Sequence, residues 1–396
     1  MRYFDICIIG GGHTGLVATL AFANKKLNVL CVEKKSFTKD NKRDLELRTT
    51  AHLMPAVNFL NTIGVWKHLE SHSCPLNSLN IINSRDIDNY PSKISENTFK
   101  AREIGKECFG YNVPLEKSIK ILRELVLLKE NVELLEATSL ISSSLDGKFR
   151  IAQLSNGEVI KTKLIIGADG SNSVVRELSN IPTFEKDTKQ IALTFNAKHE
   201  IKHSNVSNEI YKFGGPLTTV PISDEFQGMH SSIVWMNKED YTEKLLNFSK
   251  KEFSLKLKER SLSILGEISP ITNLIEIPVK FMVAKKLIGE RIALIGEAAH
   301  KLPPIGAQGF NMSVKDIETI VNLSIKYPNT IGCFEMLNEY QLKRLPEILG
   351  KSWSVGLLNI LAYSERIPLQ NLRAIGLEAL NNSSFLKKTI MRFGLG

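Results

Sequence analysis

The order of apolar and polar residues near the start of the chain changes period twice. Residues 5–9 form a short apolar run, Leu16, Leu20 and Ala23 recur at helical spacing, and residues 28–33 are again mainly apolar. Short apolar runs are typical of buried strands, and a repeat of about three to four residues is typical of an amphipathic helix. This stretch therefore predicts a strand–helix–strand unit of the kind that builds parallel sheets.

The rest of the chain continues this pattern with one interruption. It predicts a helix and a strand within 115–135, strands at 149–153 and 163–167, a buried strand at 291–296, a helix at 309–325 and helical structure from about 333. Between 188 and 236 the runs are β-rich, and turn-rich joints separate them, which indicates an antiparallel sheet. We therefore predict an α/β fold in which a mainly antiparallel sheet is inserted into a Rossmann-like domain.

The composition is that of an ordinary globular protein, and the distribution of charge limits the classes of partner that are expected. The 396 residues are 43% hydrophobic and 23% charged, which suits two or three domains. The net charge of +9 is spread over dispersed lysines, whereas a nucleic-acid site would need clustered basic residues with interleaved aromatics. No nucleic-acid partner is therefore expected, and weak attraction to an anionic membrane face stays open.

The spacing of cysteines and histidines argues against disulfides and metal binding, and the lengths of the apolar runs indicate the cellular compartment. The five cysteines lack CxxC spacing and the eight histidines are dispersed, so neither a disulfide framework nor a metal site is expected. The first apolar run is too short for a secretory signal, and no run approaches the length of about 18 residues that a membrane span needs. We therefore expect a cytoplasmic protein without a transmembrane segment.

The first stretch with candidate chemistry is GGGHTG at residues 10–15, between the first strand and its helix. Gly10 permits a tight turn, Gly12 lets a pyrophosphate approach the backbone, and Gly15 lets the helix pack closely on the strand. Glu33 ends the next strand, 23 residues after Gly10, where a carboxylate can accept ribose hydroxyls. A dinucleotide site is predicted, since a glycine-rich turn in an unrelated unit would not explain Glu33.

The second stretch, residues 164–176, runs from an apolar strand into a turn. Asp169 and Gly170 form that turn, where a nucleotide could lie close to the backbone. The alternative is an ordinary Asp-Gly turn in which Ser171 or Ser173 caps a short helix. For this stretch alone, the alternative is the better interpretation.

The third stretch, residues 295–311, breaks a buried strand repeatedly before a helix begins at Gln308 and Gly309. Unpaired amides and the dipole at this helix N-terminus would stabilise a ligand that carries negative charge at one edge. A reduced flavin, anionic at N1 and its neighbouring carbonyl, is such a ligand. The alternative is a lid rich in proline and glycine that binds no ligand.

In this order, the three stretches resemble the class A flavin-dependent aromatic hydroxylases of the para-hydroxybenzoate hydroxylase fold. Within that class the chain is most similar to the ubiquinone-biosynthesis hydroxylases, through residues 46–51, 60–66, 109–113, 304–311 and 340–344. The resemblance covers essentially the whole chain. It implies an FAD-binding domain at 1–72, 104–182 and 283–340, a substrate domain at 73–103 and 183–282, and a C-terminal helical region at 341–396.

The resemblance also implies which residues form the site. In that family the first motif holds the ADP part of FAD, the second helps to bind FAD and NAD(P)H, and the third contacts the ribityl chain and seats the flavin ring. The implied catalytic residues are Pro304, which lines the substrate side of the flavin, Gln308 and Gly309. The implied cofactor-binding residues are Gly10, Gly12, His13, Thr14, Gly15, Glu33, Lys34, Arg48, Asp169, Gly170, Gly296, Glu297, Pro304, Gly306, Gln308, Gly309, Phe310 and Asn311.

Three residues depart mildly from the family's pattern. Glu297 stands where an Asp is usual, and Ser313 stands where a Gly is common. Glu46 replaces the Asp that precedes by two residues the arginine in contact with FAD, which is Arg48 in this chain. These departures bear on FAD affinity rather than on the fold. His300, in the third stretch, is interpreted as a packed structural residue, because a lone histidine is more often structural than functional.

The implied activity is hydroxylation of the aromatic ring of a polyprenylated phenol in ubiquinone biosynthesis. NAD(P)H, or a protein electron donor, would reduce FAD, and dioxygen would form a flavin C4a-hydroperoxide whose distal oxygen is transferred to the ring. A quinone-biosynthesis complex or a homo-oligomer stays open. The alternatives are a class A monooxygenase that acts on a soluble aromatic, a related flavin reductase, and a non-catalytic scaffold, which the intact glycines disfavour.

The C-terminal region combines apolar and basic residues, namely Leu357, Leu358, Leu361, Arg366, Arg373, Lys387, Lys388 and Arg392. Helices of this composition could rest on the inner face of a membrane. The alternative is that they simply cover the flavin domain. The sequence leaves both interpretations open.

Overall fold

The computed structural model describes residues 1–37, 48–87, 90–212, 214–223, 228–363, 376, 378–379 and 382–395. Glu46, Arg366 and Arg373 lie outside the described residues. The strands are β1 (Arg2–Ile9), β2 (Val29–Val32), β3 (Thr49–Leu53), β4 (Cys74–Pro75), β5 (Ser78–Ile87), β6 (Tyr90–Lys100), β7 (Gly110–Pro114), β8 (Val132–Leu135), β9 (Leu140–Asp146), β10 (Phe149–Leu154), β11 (Val159–Gly167), β12 (Thr183–His199), β13 (Val206–Lys212), β14 (Gly215–Pro221), β15 (His230–Lys238), β16 (Ile268–Pro270), β17 (Ile275–Ala284), β18 (Ile288–Gly289), β19 (Ile292–Leu294) and β20 (His300–Lys301).

Helices alternate with these strands in the first half of the chain and dominate its end. They are α1 (His13–Ala23), α2 (Met54–Thr62), α3 (Trp66–Leu69), α4 (Leu115–Leu127), α5 (Val174–Leu178), α6 (Glu239–Leu246), α7 (Lys250–Arg260), α8 (Gln308–Lys326), α9 (Phe334–Tyr363) and α10 (Ser384–Leu395). No described helix is long and apolar enough to cross a bilayer. The described residues also contain no cluster of His, Cys, Asp and Glu suited to a metal ion.

The first sheet is built on parallel strands in the order β19, β11, β1, β2 and β8. Ile6, Cys7 and Ile8 of β1 are fully buried, as strands of a parallel sheet are when both faces are covered. That double burial explains the continuous apolar run in the sequence. Helix α1 connects β1 to β2 and packs against α4 and α8, so the glycine motif lies where these elements meet.

The second sheet has the order β20, β17, β12, β15, β14, β13, β5 and β6, with β16 beside β12. Its described pairs are antiparallel except β13 and β5, which run parallel. One face packs on α7 through Phe195, Trp235 and Phe253. The other face meets the loop before α8 through Met236 and Ile305. The second sheet therefore lies beside the third sequence stretch.

A buried polar network ties α8 and α9 to the strand that precedes the third stretch. Asp316 of α8 accepts hydrogen bonds from Arg344 Nε at 2.8 Å and Gly296 N at 3.1 Å, and its Oδ2 lies 2.8 Å from His300 Nε2. Tyr340 donates to the carbonyl of Leu294 at 2.8 Å. Burial raises the pKa of Asp316, but its interactions with His300 and Arg344 outweigh burial and lower the pKa overall. His300 is buried within this network, and its structural role stays a prediction.

The predicted fold class is confirmed: α/β, with an antiparallel sheet interposed between parts of the parallel one and helices at the end of the chain. One local prediction differs. Residues 291–296 do not form one strand, because β19 ends at Leu294 and Gly296–Ala298 is a 3-10 turn. Gly296 has φ of +60°, which turns the chain out of the sheet. The domain boundaries stay predictions.

Candidate FAD-binding site

Among the four glycines at residues 10–15, close packing surrounds Gly10, Gly11 and Gly15, whereas Gly12 has open space beside it. A Cβ on Gly10 would overlap the carbonyl oxygen of Ala168, and one on Gly15 would overlap that of Gly10. At Gly12 a Cβ would meet nothing within 4 Å. Strand β1, the turn and α1 are thus held tightly together, and the open side at Gly12 is where a pyrophosphate could approach.

A cleft of about 840 Å³ opens beside this turn. Its lining includes seven residues assigned from the sequence: Gly10, Gly12, Glu33, Lys34, Arg48, Asp169 and Gly170. Residues 275–277 of β17, in the second sheet, also line the cleft. The first two sequence stretches therefore form one site, as dinucleotide binding requires. The contribution of β17 had no signature in the sequence.

Glu33 fixes the rim of this cleft through the backbone. Its carboxylate accepts hydrogen bonds from the amides of Gly11 at 2.6 Å and Lys35 at 2.8 Å. An ionised carboxylate with two backbone donors is held in one orientation. It retains further lone pairs for hydroxyl groups of a ligand. This geometry suits the ribose-binding role predicted for Glu33.

The turn at Asp169 has features of both interpretations of the second stretch, a capped short helix and an acceptor available to a ligand. Ser173 caps α5 by accepting a hydrogen bond from Arg176 N at 3.0 Å, as in the alternative, and Asp169 Oδ2 accepts from Val175 N at 3.1 Å. Its other oxygen, Oδ1, is buried without a hydrogen-bond partner. Burial raises the pKa of Asp169. A buried acceptor without a partner is costly, and a ligand hydroxyl would satisfy it.

The N-terminus of α8 is uncapped. Ala307, the residue before the helix, has a left-handed backbone with φ of 54°, no side chain caps the helix, and its first turn contains no acidic residue. The amides of Gln308, Gly309 and Phe310 therefore have no partner within the helix. They point out of the positive end of a 19-residue helix. Such an end stabilises an anion.

The N-terminus of α1 is uncapped as well, and the two helix ends adjoin. Helix α1 begins at His13 after Gly12, again without a side-chain cap or an acidic residue in its first turn. The rings of His13 and Phe310 stack with centroids 4.0 Å apart and planes inclined by 5°. Desolvation lowers the pKa of His13 to about 3, so the ring is neutral near pH 7. The positive ends of the two helices thus adjoin at this stack.

His52 of β3 completes this aromatic cluster and was missed in the sequence. Its ring centroid lies 4.7 Å from that of Phe310 and 5.3 Å from that of His13. The side chain is fully buried, and neither ring nitrogen has a hydrogen-bond partner. Burial lowers the pKa of His52 well below its usual value, and the neighbouring His13 lowers it further. Its place in an apolar strand gave no indication of this position.

The side chains of Asn311 and Gln308 position backbone around the helix end. Asn311 accepts from Leu53 N at 2.8 Å and donates to Ala51 O at 2.9 Å, which fastens α8 to β3. Gln308 Nε2 donates to Gly306 O at 3.0 Å and to Gly394 O of α10 at 3.1 Å. Both side chains are occupied by protein groups. Their contribution to a cofactor would come through backbone amides.

The remaining assigned residues support the turn or face solvent. A Cβ on Gly296 would lie 3.0 Å from Thr14 Cγ2 and 3.1 Å from Ser313 Oγ, so the third stretch packs directly on α1. Glu297 is exposed, and its carboxylate lies 4.0 Å from Lys301. His13, Thr14, Gly15 and residues 296–311 lie outside the lining of the cleft. The loop before α8 and the junction of the two helix ends, where His13 and Phe310 stack, are together called the seat.

Glu209 of β13 is a further group at this seat. Its carboxyl group accepts from Gly306 N at 3.3 Å and from the hydroxyl of Tyr211 at 2.8 Å. The residue is buried, and burial raises its pKa although both hydrogen bonds lower it. It lies 97 residues from Gly306 in sequence. Without a motif around it, only the tertiary structure shows that it touches the third stretch.

A family model described as an FAD-binding domain matches residues 3–347. The chain belongs to this FAD-binding family. An open glycine turn, an orphaned acceptor at Asp169 and two uncapped helix ends fit FAD, which has hydroxyl groups, a pyrophosphate and a flavin that becomes anionic on reduction.

Curated relatives match the FAD-binding chain over nearly its full length. The ubiquinone hydroxylase UbiL of Rhodospirillum rubrum is 26% identical and covers 99% of this chain and 89% of its own. The 3-demethoxyubiquinol 3-hydroxylase of Escherichia coli is 24% identical and covers 99% and 98%. The chain is an FAD-dependent monooxygenase, as predicted.

Solved structures match the same fold at low sequence identity. PqsL of Pseudomonas aeruginosa, a probable FAD-dependent monooxygenase, has a TM-score of 0.78 with 16% identity and covers 91% of this chain and 97% of its own. A variant of HpxO from Klebsiella pneumoniae, solved with FAD, has a TM-score of 0.76 with 14% identity and covers 99% and 98%. FAD as cofactor is confirmed, while NAD(P)H and the roles of single residues stay predictions.

Proposed function

We propose that this monooxygenase hydroxylates the aromatic ring of a polyprenylated phenol in ubiquinone biosynthesis, with electrons from NAD(P)H or a protein donor. Two relatives named for hydroxylation of ubiquinone or a ubiquinol precursor align with nearly the whole chain. The proposal extends the activity in their names to this protein.

The meeting of two uncapped helix ends is the structural observation that supports the flavin part of the proposal. Helices α1 and α8 bring their positive ends together at the stacked rings of His13 and Phe310. Because like partial charges repel, the arrangement favours a ligand that is negative at two places. A dinucleotide with a pyrophosphate and a reducible flavin has that distribution of charge.

Bound FAD would supply the redox chemistry and the activation of dioxygen, while the protein supplies position and electrostatics. Glu33 would hold the ribose, and the free oxygen of Asp169 would hold a hydroxyl of the ribityl chain. Amides at the start of α1 would face the pyrophosphate. Those of Gln308 and Gly309 would face the flavin edge that becomes negative, where preorganised donors act on charge as it develops.

The side of the seat that faces the second sheet is apolar and closely packed. The loop before α8 contributes Pro304 and the buried Ile305, which packs with Ala192, Met236 and Val355. Apolar walls with few polar groups are typical of sites for apolar ligands. Glu209 and Tyr211 are the polar pair at the edge of this region. We propose that the phenol ring binds here, with its hydroxyl toward this pair.

The cofactor assignment is tested by Gly12→Val. The branched side chain would occupy the space that a pyrophosphate needs, and we expect the variant to fold but to purify with less than a tenth of the wild-type FAD. Gly350→Val is the matched control, because Gly350 also has open space around it but lies in α9. Absorbance at the flavin band and circular dichroism measure the two quantities. Stoichiometric FAD in Gly12→Val would contradict the assignment.

The substrate is tested with isotopically labelled dioxygen. The FAD-loaded protein is supplied with a prenylated phenol and NAD(P)H, or with a ferredoxin-type donor, and one labelled oxygen is expected on the ring by mass spectrometry. A phenol hydroxyl donates electron density to the ring, so the position beside it is the expected site. If only small soluble aromatics are hydroxylated, the protein is a class A monooxygenase of soluble aromatics instead.

A further inference from the structure

Helix α10 packs against the protein through Lys387 and Met391. Lys387 forms an ion pair with Glu103 at 2.9 Å and lies over the ring of Phe99 at 5.4 Å. Met391, four residues later, is 6% exposed. Residues four apart lie on the same face of a helix, so the inner face of α10 is the one that contains Lys387 and Met391.

The outer face of α10 is apolar. Phe385 is 83% exposed, Phe393 61%, Ile390 43% and Leu386 39%. Positions 386, 390 and 393 follow helical spacing, and 385 lies beside them. An amphipathic helix normally buries its apolar stripe against the core and turns its charges to solvent. In α10 these four apolar side chains are exposed instead, and large exposed apolar patches mark interaction sites.

The charges of α10 indicate what covers that face. The segment Ser384–Leu395 contains Lys387, Lys388 and Arg392 and no acidic residue. With Lys387 paired to Glu103, Lys388 and Arg392 border the apolar face, and neither pairs with a carboxylate among the described residues. Apolar side chains bordered by cations are typical of helices that lie in the interface of an anionic membrane.

We propose that α10 docks the protein on an anionic lipid surface, with Phe385, Leu386, Ile390 and Phe393 among the acyl chains and Lys388 and Arg392 at the phosphates. The formal net charge of +9 favours the same surface. This site goes beyond the proposed reaction and does not depend on which phenol is hydroxylated.

The docking helix also adjoins the flavin seat. The carbonyl of Gly394, at the end of α10, accepts a hydrogen bond at 3.1 Å from Gln308, the first residue of α8. A lipid surface seated on α10 therefore lies next to the loop that contains Pro304. This part of the inference rests on the proposed function: a polyprenylated phenol dissolved in that surface would enter beside the flavin seat.

The test is sedimentation of the FAD-loaded full chain with vesicles of phosphatidylcholine, with or without phosphatidylglycerol. We expect binding to the anionic vesicles at low salt and at least tenfold weaker binding to the neutral ones. Phe385→Ser with Phe393→Ser should weaken binding at least tenfold. Lys388→Glu with Arg392→Glu should do so for anionic vesicles alone, since each charge near the surface contributes roughly fivefold.

The matched control is Leu127→Ser with Leu128→Ser, since these leucines at the end of α4 are 60% and 78% exposed. It should bind vesicles as the wild type does. If wild-type protein does not bind anionic vesicles, the docking site is wrong. It is also wrong if the apolar and charge variants bind vesicles as the control does. A dimer that only Phe385→Ser with Phe393→Ser dissociates would show that a second copy covers the face. Flavin absorbance reports the cofactor separately, so failure of docking is distinct from failure of the proposed reaction.

Discussion

Gly12 and Gly15 lie three residues apart and differ in what surrounds them. A Cβ at Gly15 would overlap the carbonyl oxygen of Gly10, whereas at Gly12 it would meet nothing within 4 Å. We expect Gly15→Ala to lower the free energy of unfolding by about 1–3 kcal/mol or more, because rigid backbone must move. Gly12→Ala should leave stability of the FAD-free protein unchanged. Urea titrations of both variants, freed of FAD, measure this difference, and equal midpoints would contradict it.

Glu209 makes stability depend on pH. Burial raises its pKa in the folded protein, so the native state binds more protons than the unfolded state above the ordinary pKa of a glutamate. Stability should therefore fall as pH rises from about 4.5 through the raised folded pKa. Glu209→Gln removes the buried charge and keeps a hydrogen-bonding group. We expect it to gain about 1–3 kcal/mol at pH 8 relative to wild type.

Thermal denaturation between pH 5 and 8 tests this expectation, with Glu130→Gln, at an exposed site, as the control. The control should follow the wild-type pH dependence, whereas Glu209→Gln should show a flatter one. If Glu209→Gln loses stability with pH as steeply as wild type, ionisation of the Glu209 carboxyl group does not lower the free energy of unfolding.

At the scale of the element, we expect the positive end of α8 to influence the reduction potential of bound FAD. Gln308→Glu would place a negative charge where the flavin becomes negative, and we expect the reduction potential of bound FAD to fall. A charge at a helix end is worth about 0.3–1 kcal/mol, which corresponds to roughly 5–20 mV for two electrons. Gln308→Ala loses the same bond to Gly394 without adding charge, and Asn322→Glu adds the charge near the other end of α8. Both should leave the potential within a few millivolts in a redox titration; equal shifts in all three would contradict this role.

The second element-scale prediction concerns the buried network between α8 and α9. Asp316→Asn leaves the guanidinium of Arg344, which is 1% exposed, without its buried carboxylate partner. Breaking a buried ion pair from one side costs about 3–5 kcal/mol. Glu318→Gln is the control, because its pair with Lys315 lies on the exposed face of the same helix. Chemical denaturation should separate the two variants by several kcal/mol, and a loss as small as that of the control would contradict the network's role.

The same elements show how far the sequence alone could go. Strands such as β1 are readable because burial on both faces leaves a continuous apolar run, and helix α8 is readable from its apolar spacing. Strand β9 is mostly exposed, so its residues show no apolar pattern. The site was predictable where a backbone requirement selects glycine, at Gly10 and Gly15. Glu209 and His52 were not, because their place depends on pairing between strands distant in sequence.

At the scale of the whole molecule, the cleft joins both sheets. It is lined by Gly10 and Gly12 at the end of β1 and by residues 275–277 of β17. FAD at one hundred times its dissociation constant should raise the free energy of unfolding by about 2.7 kcal/mol. We expect hydrogen exchange to slow at 275–277 as well as at 10–12 when FAD is added. Protection confined to the first sheet would show that β17 does not hold the cofactor.

The position of β19 has a consequence for synthesis of the chain. Residues 165–167 of β11 pair with Ile292–Leu294, which the ribosome adds 127 residues later. At typical rates of translation that interval is about 6–25 s. During this interval the edge of β11 at residues 165–167 has no partner strand, and unpaired strand edges pair with other chains. Nascent chains halted before residue 292 should therefore bind chaperones or aggregate more than those released after α9, which also completes the pair of Asp316 and Arg344.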